Sequence, residues 1–342
     1  MDEMRPTIPV TIISGFLGAG KTTVLNHILS EAHGVRAAVL VNDFGAINID
    51  AKLVVGVEGE TVSLANGCIC CNIRTDLIDA CKSVLARTEP PEAIIVETSG
   101  VSDPLEVVHT FDDPALQNVL TIGGILAVVD AEQFPVLQTG DVRNLARNQI
   151  HASDIVILNK TDLVDTNQLK KIRDLILEVS PVARLYQTVN GHVPLSLVFD
   201  VEGQFAGVAD KMGAQTGKPA HDHVHELFET FHWSSNRPMS FTCLKKLVEA
   251  FPDEIYRAKG IVHLEELSRY RVSFQMVGKR YNFQEIDLWG QEPPNTDIVV
   301  IGSTGGFDKA YLKEKFEACV GTGDADQSPM LKLSRRLGLA AE

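Results

Sequence analysis

The segment Gly15-Phe-Leu-Gly-Ala-Gly-Lys21-Thr22 constrains this chain more than any other. A short β-branched apolar run, Ile8 to Ile13, leads into it, and an amphipathic stretch from Thr22 to Ala32 leads out. Glycines between a buried strand and a helix let backbone N–H groups curl around phosphate oxygens without β-carbon clashes. The helix N-terminus adds its positive dipole end. Strand–loop–helix is the context that turns a glycine-rich pattern into a phosphate cradle. Gly15, Gly18, Ala19, Gly20 and Thr23 then belong to the cradle, Lys21 neutralises β/γ-phosphate charge, and Thr22 ligates Mg²⁺.

The same alternation continues downstream. Ala37–Val41, Ala93–Val96, Ile125–Val129 and Ile155–Leu158 read as strands buried on both faces, being Val- and Ile-rich without polar alternation. Between them Arg74–Arg87, Arg143–His151 and Asn167–Val179 read as helices. This predicts an α/β fold: a P-loop domain with a mainly parallel sheet covered on both faces. Glycines and Pro219 break all periodicity between about Asp200 and His225. Beyond them a strand (Leu227–Trp233), a helix (Thr242–Ala250), three strand-like runs from Ile255 to Phe283, a strand (Ile298–Ile301) and a helix (Lys309–Ala318) predict a smaller α+β domain. The expected division is 1–199 for the P-loop domain, 200–225 for a linker, 226–320 for the C-terminal domain and 321–342 for a loose tail.

Composition narrows the function. At 342 residues, two domains of roughly 150 residues are expected. With 31 basic against 45 acidic residues the net charge is −14, which argues against nucleic acid and anionic membrane as general partners. No apolar run approaches the ~20 residues of a membrane helix. The start, Met1-Asp2-Glu3-Met4, lacks the positive region of a signal peptide, so a cytoplasmic location is expected.

Two further strand ends point to the base and the metal of a nucleotide. Asn159-Lys160-Thr161-Asp162 closes the strand ending at Leu158, and open α/β sheets bind ligands at the carboxyl ends of their strands. The Asp162 carboxylate suits guanine N1–H and N2–H₂, whereas adenine leaves it unpaired. Asn159 is expected to read the far edge of the base, and the Lys160 stem to cover its face. The competing reading is a polar strand-to-helix turn with Asp162 near a helix start, a common place for Asp. Glu97, in Glu97-Thr-Ser-Gly100, ends another strand where it meets Mg²⁺ directly or through water, and the Gly100 N–H faces the γ-phosphate. Lys21, Thr22 and Glu97 form the expected catalytic set, and slow GTP hydrolysis to GDP follows.

Cys68, Cys70 and Cys71 crowd just ahead of the helix beginning near Ile73 or Arg74. A helix N-terminus favours thiolate, the metal-binding form, and soft thiolates suit Zn²⁺ and accept Co²⁺. Three sulfurs leave a tetrahedron open, as a carrier needs. An extended loop puts Cys68 and Cys70 on one side, while a turn at Ile69 pairs Cys68 with Cys71. His221, His223 and His225 share a face if extended, and read equally as a metal-collecting segment or a solvated linker. Cys81, Cys243 and Cys319 read as buried packing residues.

Taken together, the Gly15–Thr23 loop, Gly67-Cys-Ile-Cys-Cys71, Glu97-Thr-Ser-Gly100, Asp103-Pro104, Asn159-Lys-Thr-Asp162 and Arg257-Ala-Lys-Gly260 resemble the CobW-type metal-handling GTPases, relatives of the nickel-insertion GTPases of urease and hydrogenase. The resemblance extends to about Val320. It implies a GTPase that binds Zn²⁺ or Co²⁺ at Cys-x-Cys-Cys and delivers it to a client metalloprotein, with room for a homo-oligomer. A regulatory zinc-responsive GTPase without delivery is the alternative. One departure is visible: family members often read Asn-Glu-Phe-Gly-Glu where this chain has Asn42-Asp43-Phe44-Gly45-Ala46. Asp43 keeps one carboxylate as a further metal donor on a shorter arm, and Ala46 loses the second.

Overall fold

The computed structural model describes residues 7–31, 35–41, 61–63, 73–138, 142–199 and 228–321. The chain divides into two compact units, Met1–Lys218 and Pro219–Glu342. The predicted linker 200–225, with His221, His223 and His225, lies outside the described residues, as do Asp43, Cys68, Cys70, Cys71 and the tail from 322.

In the first unit the strands are β1 (Ile8–Ser14), β2 (Ala37–Val41), β3 (Thr61–Ser63), β4 (Ala93–Glu97), β5 (Leu120–Asp130), β6 (Ile155–Asn159) and β7 (Arg184–Gln187). They form one seven-stranded sheet in the order β3-β2-β4-β1-β5-β6-β7, with every pairing parallel. The helices are α1 (Lys21–Glu31), α2 (Ile73–Leu85), α3 (Pro104–Thr110), α4 (Phe134–Leu137), α5 (Arg143–His151), α6 (Thr166–Val179) and α7 (Leu195–Val198). Side chains alternate across a strand, so Val10, Ile12, Ala38, Leu40, Ile94 and Val96 share one face. That face packs on Leu77, Ala80, Cys81 and Val84 of α2 and on Val107 of α3. On the other face Thr11 Oγ1 donates to the Val198 carbonyl at the end of α7, at 2.5 Å. Burial on both sides explains why these strands read as unbroken apolar runs. Each fully buried Val, Leu or Ile contributes about 1.5–3 kcal/mol.

Two strands escaped the sequence reading. β3 has three residues, and β7 is Arg-Leu-Tyr-Gln, whose Arg184 is fully buried against every compositional expectation. Local chemistry sets the helix starts. Asp103 caps α3 with Pro104 at the first turn, and Asp165 with Gln168 forms a capping box on α6.

The sheet of the second unit is antiparallel throughout. β8 (Phe228–Ser235), β9 (Ile255–Val262), β10 (Tyr270–Val277), β11 (Arg280–Leu288) and β12 (Thr296–Ser303) line up as β11-β10-β9-β12-β8. Helices α8 (Phe241–Glu249) and α9 (Lys309–Ala318) supply Leu244, Val248, Leu312 and Phe316 to its core. Phe316, fully buried, stacks on Trp233 at 5.2 Å between ring centres and meets Phe231 and Phe251 at 6.2 Å each. The packing role expected of Cys243 and Cys319 needs correction. The two sulfurs form a disulfide joining the first turn of α8 to the residue that ends α9, across 76 positions of sequence. Cys81 does pack as expected, and burial pushes its thiol up to about 12.

Candidate functional site

β1, β4, β5 and β6 are neighbours in the sheet, and their carboxyl ends carry the residues of interest side by side. β1 runs into the glycine loop, whose Lys21 opens α1 and is buried. The Lys21 ammonium donates to the Gly15 carbonyl at 2.9 Å and the Phe16 carbonyl at 3.3 Å, which fixes it in the concavity of the loop. Gly20 adopts φ +98°, and a β-carbon there would collide with the Asn159 side chain. The loop therefore closes only with glycine at that point.

Glu97 ends β4 and is 2% exposed. It accepts a hydrogen bond from Thr22 Oγ1 at 3.0 Å. A hydroxyl and a carboxylate in contact beside a phosphate loop are hard oxygen donors that fit Mg²⁺. The two residues lie 75 positions apart in sequence, and the fold brings them together as their types suggested.

Asn159 makes two contacts with segments distant in sequence. Its Nδ2 donates to the Ala19 carbonyl at 3.1 Å and its Oδ1 accepts from the Gly191 N–H at 3.0 Å. These bonds tie the phosphate loop to the loop after β7 and use one of the two Nδ2 N–H groups. Lys160 stands in the left-handed region, φ +59°. Its ammonium reaches across to the Gly18 carbonyl at 2.9 Å and the Asp130 carboxylate at 2.7 Å. The side chain that caps α6 is Asp165, whereas Asp162 is exposed and lies in a short 3₁₀ turn, Thr161–Leu163, near the start of α6 as the competing reading has it. Among the described residues its carboxylate has no hydrogen bond or ion pair, which leaves both oxygens for a ligand.

Sequence reasoning missed two residues here. Asp130, 4% exposed at the end of β5, holds Lys160 and also accepts from the Glu132 and Gln133 N–H groups. The Val-Val-Asp ending of that strand is the same signal that singled out Glu97. Gln149, 2% exposed on α5, donates to the Gly100 carbonyl at 3.3 Å and the Ser102 carbonyl at 3.1 Å, securing the loop that follows Glu97. No pattern marks it.

Among the described residues no group of three or more His, Cys, Asp or Glu is arranged to hold a metal ion, and no helix is long and apolar enough to cross a membrane.

A parallel sheet with a phosphate loop after β1, a strand-end acid on Thr22 and an Asn-Lys-x-Asp loop after β6 defines a P-loop nucleotide-binding protein. Residues 9–187 match the family model described as CobW/HypB/UreG, nucleotide-binding domain, and residues 228–320 match that of the cobalamin synthesis protein cobW C-terminal domain. The chain belongs to the CobW/HypB/UreG family. A zinc chaperone CobW of Sinorhizobium sp is 30% identical over 92% of this chain and 97% of the relative. A zinc chaperone CobW of Pseudomonas aeruginosa is 31% identical over 92% of each. A zinc-regulated GTPase metalloprotein activator 1 of Dictyostelium discoideum is 30% identical, over 85% of this chain and 71% of the relative.

Proposed function

We infer that this GTPase is a metallochaperone that binds Zn²⁺ or Co²⁺ through Cys68, Cys70 and Cys71 and passes the ion to a client metalloprotein as its nucleotide state changes. The observation that carries the reading is the Thr22–Glu97 contact. It sets a hydroxyl and a carboxylate under the phosphate loop, in a chain whose relatives are named as zinc chaperones.

The residues divide the work of GTP + H₂O → GDP + phosphate. Lys21 meets the β/γ-phosphates by exchanging its carbonyl partners for phosphate oxygens, and the α1 N-terminus faces the same charge. Thr22 and Glu97 would hold Mg²⁺, which supplies neutralisation of charge on the phosphate oxygens. Asp162 accepts from guanine N1–H and N2–H₂. Asp130 holds Lys160, and Asn159 holds the phosphate loop in place. The Glu97–Gly100 loop, braced by Gln149, is the segment whose position changes with the γ-phosphate. The thiols lie upstream of it in sequence, so a shift there reaches the segment that leads from them.

Cobalt tests the cargo site. One Co²⁺ per chain is expected, with intense near-ultraviolet thiolate bands and proton release on binding. Cys68→Ala, Cys70→Ala and Cys71→Ala should each weaken the bands, whereas changing His221, His223 and His225 together should not. A triple cysteine variant that still binds one Co²⁺ with the same spectrum would overturn the thiol site. Equal metal affinity with GDP and a GTP analogue would overturn the coupling.

A further inference from the structure

After Glu97 the chain makes a tight turn, Ser99 to Ser102, whose backbone groups are paired one by one. The Thr98 N–H donates to the Ile13 carbonyl at 2.9 Å, which fixes the start of the turn to β1. The Ser102 N–H closes the turn on the Ser99 carbonyl at 3.1 Å, and the Val101 N–H reaches Ser99 Oγ at 3.5 Å. The Gly100 and Ser102 carbonyls both accept from the Gln149 carboxamide. Among the described residues the N–H groups of Ser99 and Gly100 have no partner. Ser99 is 5% exposed and Gly100 is buried, and successive open N–H groups suit an anionic oxygen.

The direction of one of these groups follows from peptide geometry. In a planar trans peptide the C=O and N–H point opposite ways. The Ser99 carbonyl is turned inwards to Ser102, so the Gly100 N–H of the same peptide points out of the turn. The turn also lies on the phosphate loop. A β-carbon on Gly100 would come 2.7 Å from both the Leu17 nitrogen and Leu17 Cδ2, so the two backbones meet with no side chain between them. The phosphate loop thus fixes one side of the turn, and Gln149 fixes the other. Ala146 and Ile150 of α5 are buried, which seats the helix that carries Gln149. A carboxamide has two N–H donors, and here two carbonyls of one turn share them.

We propose that Gln149 is a positioning residue for GTP hydrolysis. By holding the Gly100 and Ser102 carbonyls on α5, it keeps the turn in the shape that presents the Gly100 N–H to the γ-phosphate. This rests on the reading of the Glu97–Gly100 loop as the segment that meets that phosphate. GDP has no γ-phosphate and gains nothing from the turn, so Gln149 favours GTP over GDP. By linkage, bound GTP strengthens the two Gln149 bonds in return.

The test uses the full chain with Gln149→Met, which keeps the length but has no donor, and with Gln149→Glu, whose carboxyl loses both donors when ionised and regains one when protonated. Turnover of GTP is measured together with affinities for GDP and for a non-hydrolysable GTP analogue. In Gln149→Met, kcat should fall roughly 10–100-fold, the size of effect a displaced reacting group produces. The analogue-to-GDP affinity ratio should fall while GDP affinity stays. In Gln149→Glu the deficit relative to the native chain should shrink as pH falls. Native kcat in both variants would overturn the proposal, and so would GDP affinity falling in step with analogue affinity, since that marks a merely structural role. Gly100→Ala separates the two readings. If it leaves the analogue-to-GDP ratio intact, the loop does not meet the γ-phosphate and both readings fall. If it lowers the ratio while the Gln149 variants keep it, only the role of Gln149 falls. Should both Gln149 substitutions prevent folding, the native chain decides. Its Gln149 side-chain amide protons, followed by NMR, should exchange with solvent more slowly with the GTP analogue than with GDP, and equal rates would overturn the proposal.

Discussion

The two units solve the problem of covering a sheet in opposite ways. The first buries a parallel sheet on both faces and leaves its chemistry at the strand ends, where Lys21, Glu97, Asp130 and Asn159 are each nine-tenths or more buried. The second alternates buried and exposed residues along β12 and builds an aromatic cluster around Phe316. A ligand site in the first unit depends on hydrogen bonds between loops. The second depends on packing volume, with one disulfide added. Damage to one kind of construction should therefore leave the other intact.

The largest expected effect is on the packed unit. Phe316→Ala removes the hub of the cluster and should destabilise the second unit by about 3–5 kcal/mol. Both tryptophans of the chain, Trp233 and Trp289, lie in that unit, so their fluorescence in a urea titration reports on it alone. GDP affinity should stay unchanged; a parallel loss would break the division drawn here.

Asp162→Asn is the counterpart in the first unit. It places a donor against guanine N–H groups and should weaken GTP by about 1–3 kcal/mol. A xanthine nucleotide, whose C2 carbonyl accepts that donor, should gain, and the tryptophan-monitored transition should not move. An unchanged GTP-to-xanthosine-triphosphate ratio would remove Asp162 from the base site.

The smallest effect tests what the units share. His27 and His263 are both held below the ordinary 6.5, first by burial, and His192 adds to the shift at His27. The unfolded chain therefore binds more protons than the folded one as pH falls through that value. The contribution is complete above the unfolded pKa and is lost as pH drops below it. Thermal melts should show both units weakening modestly from pH 7 towards pH 5.5. A flat profile for either would mean its imidazole is not held neutral.

Much of this was legible in the sequence because burial on both faces writes itself as apolar runs. β1, β2, β4, β5 and β6 were found that way, and Arg143–His151 and Lys309–Ala318 match α5 and α9 at both ends. β7 was not, since a buried arginine in a four-residue edge strand carries the opposite signal. In the site, residue types at strand ends marked Lys21, Thr22 and Glu97, whose chemistry is local to their own loops. The tie made by Asn159 was not legible because its partners, Ala19 and Gly191, are distant in sequence. The Cys243–Cys319 pairing was out of reach for the same reason, with 76 positions between the sulfurs.

The double tie made by Asn159 bears on how fast a nucleotide leaves. A pocket whose phosphate loop and the loop after β7 moved separately would let its occupant go in stages, one end peeling away while the other held. Here a single buried amide grips both loops, so neither opens far without breaking the same bonds. Where release needs either loop to open, the two bonds of that amide add to its barrier.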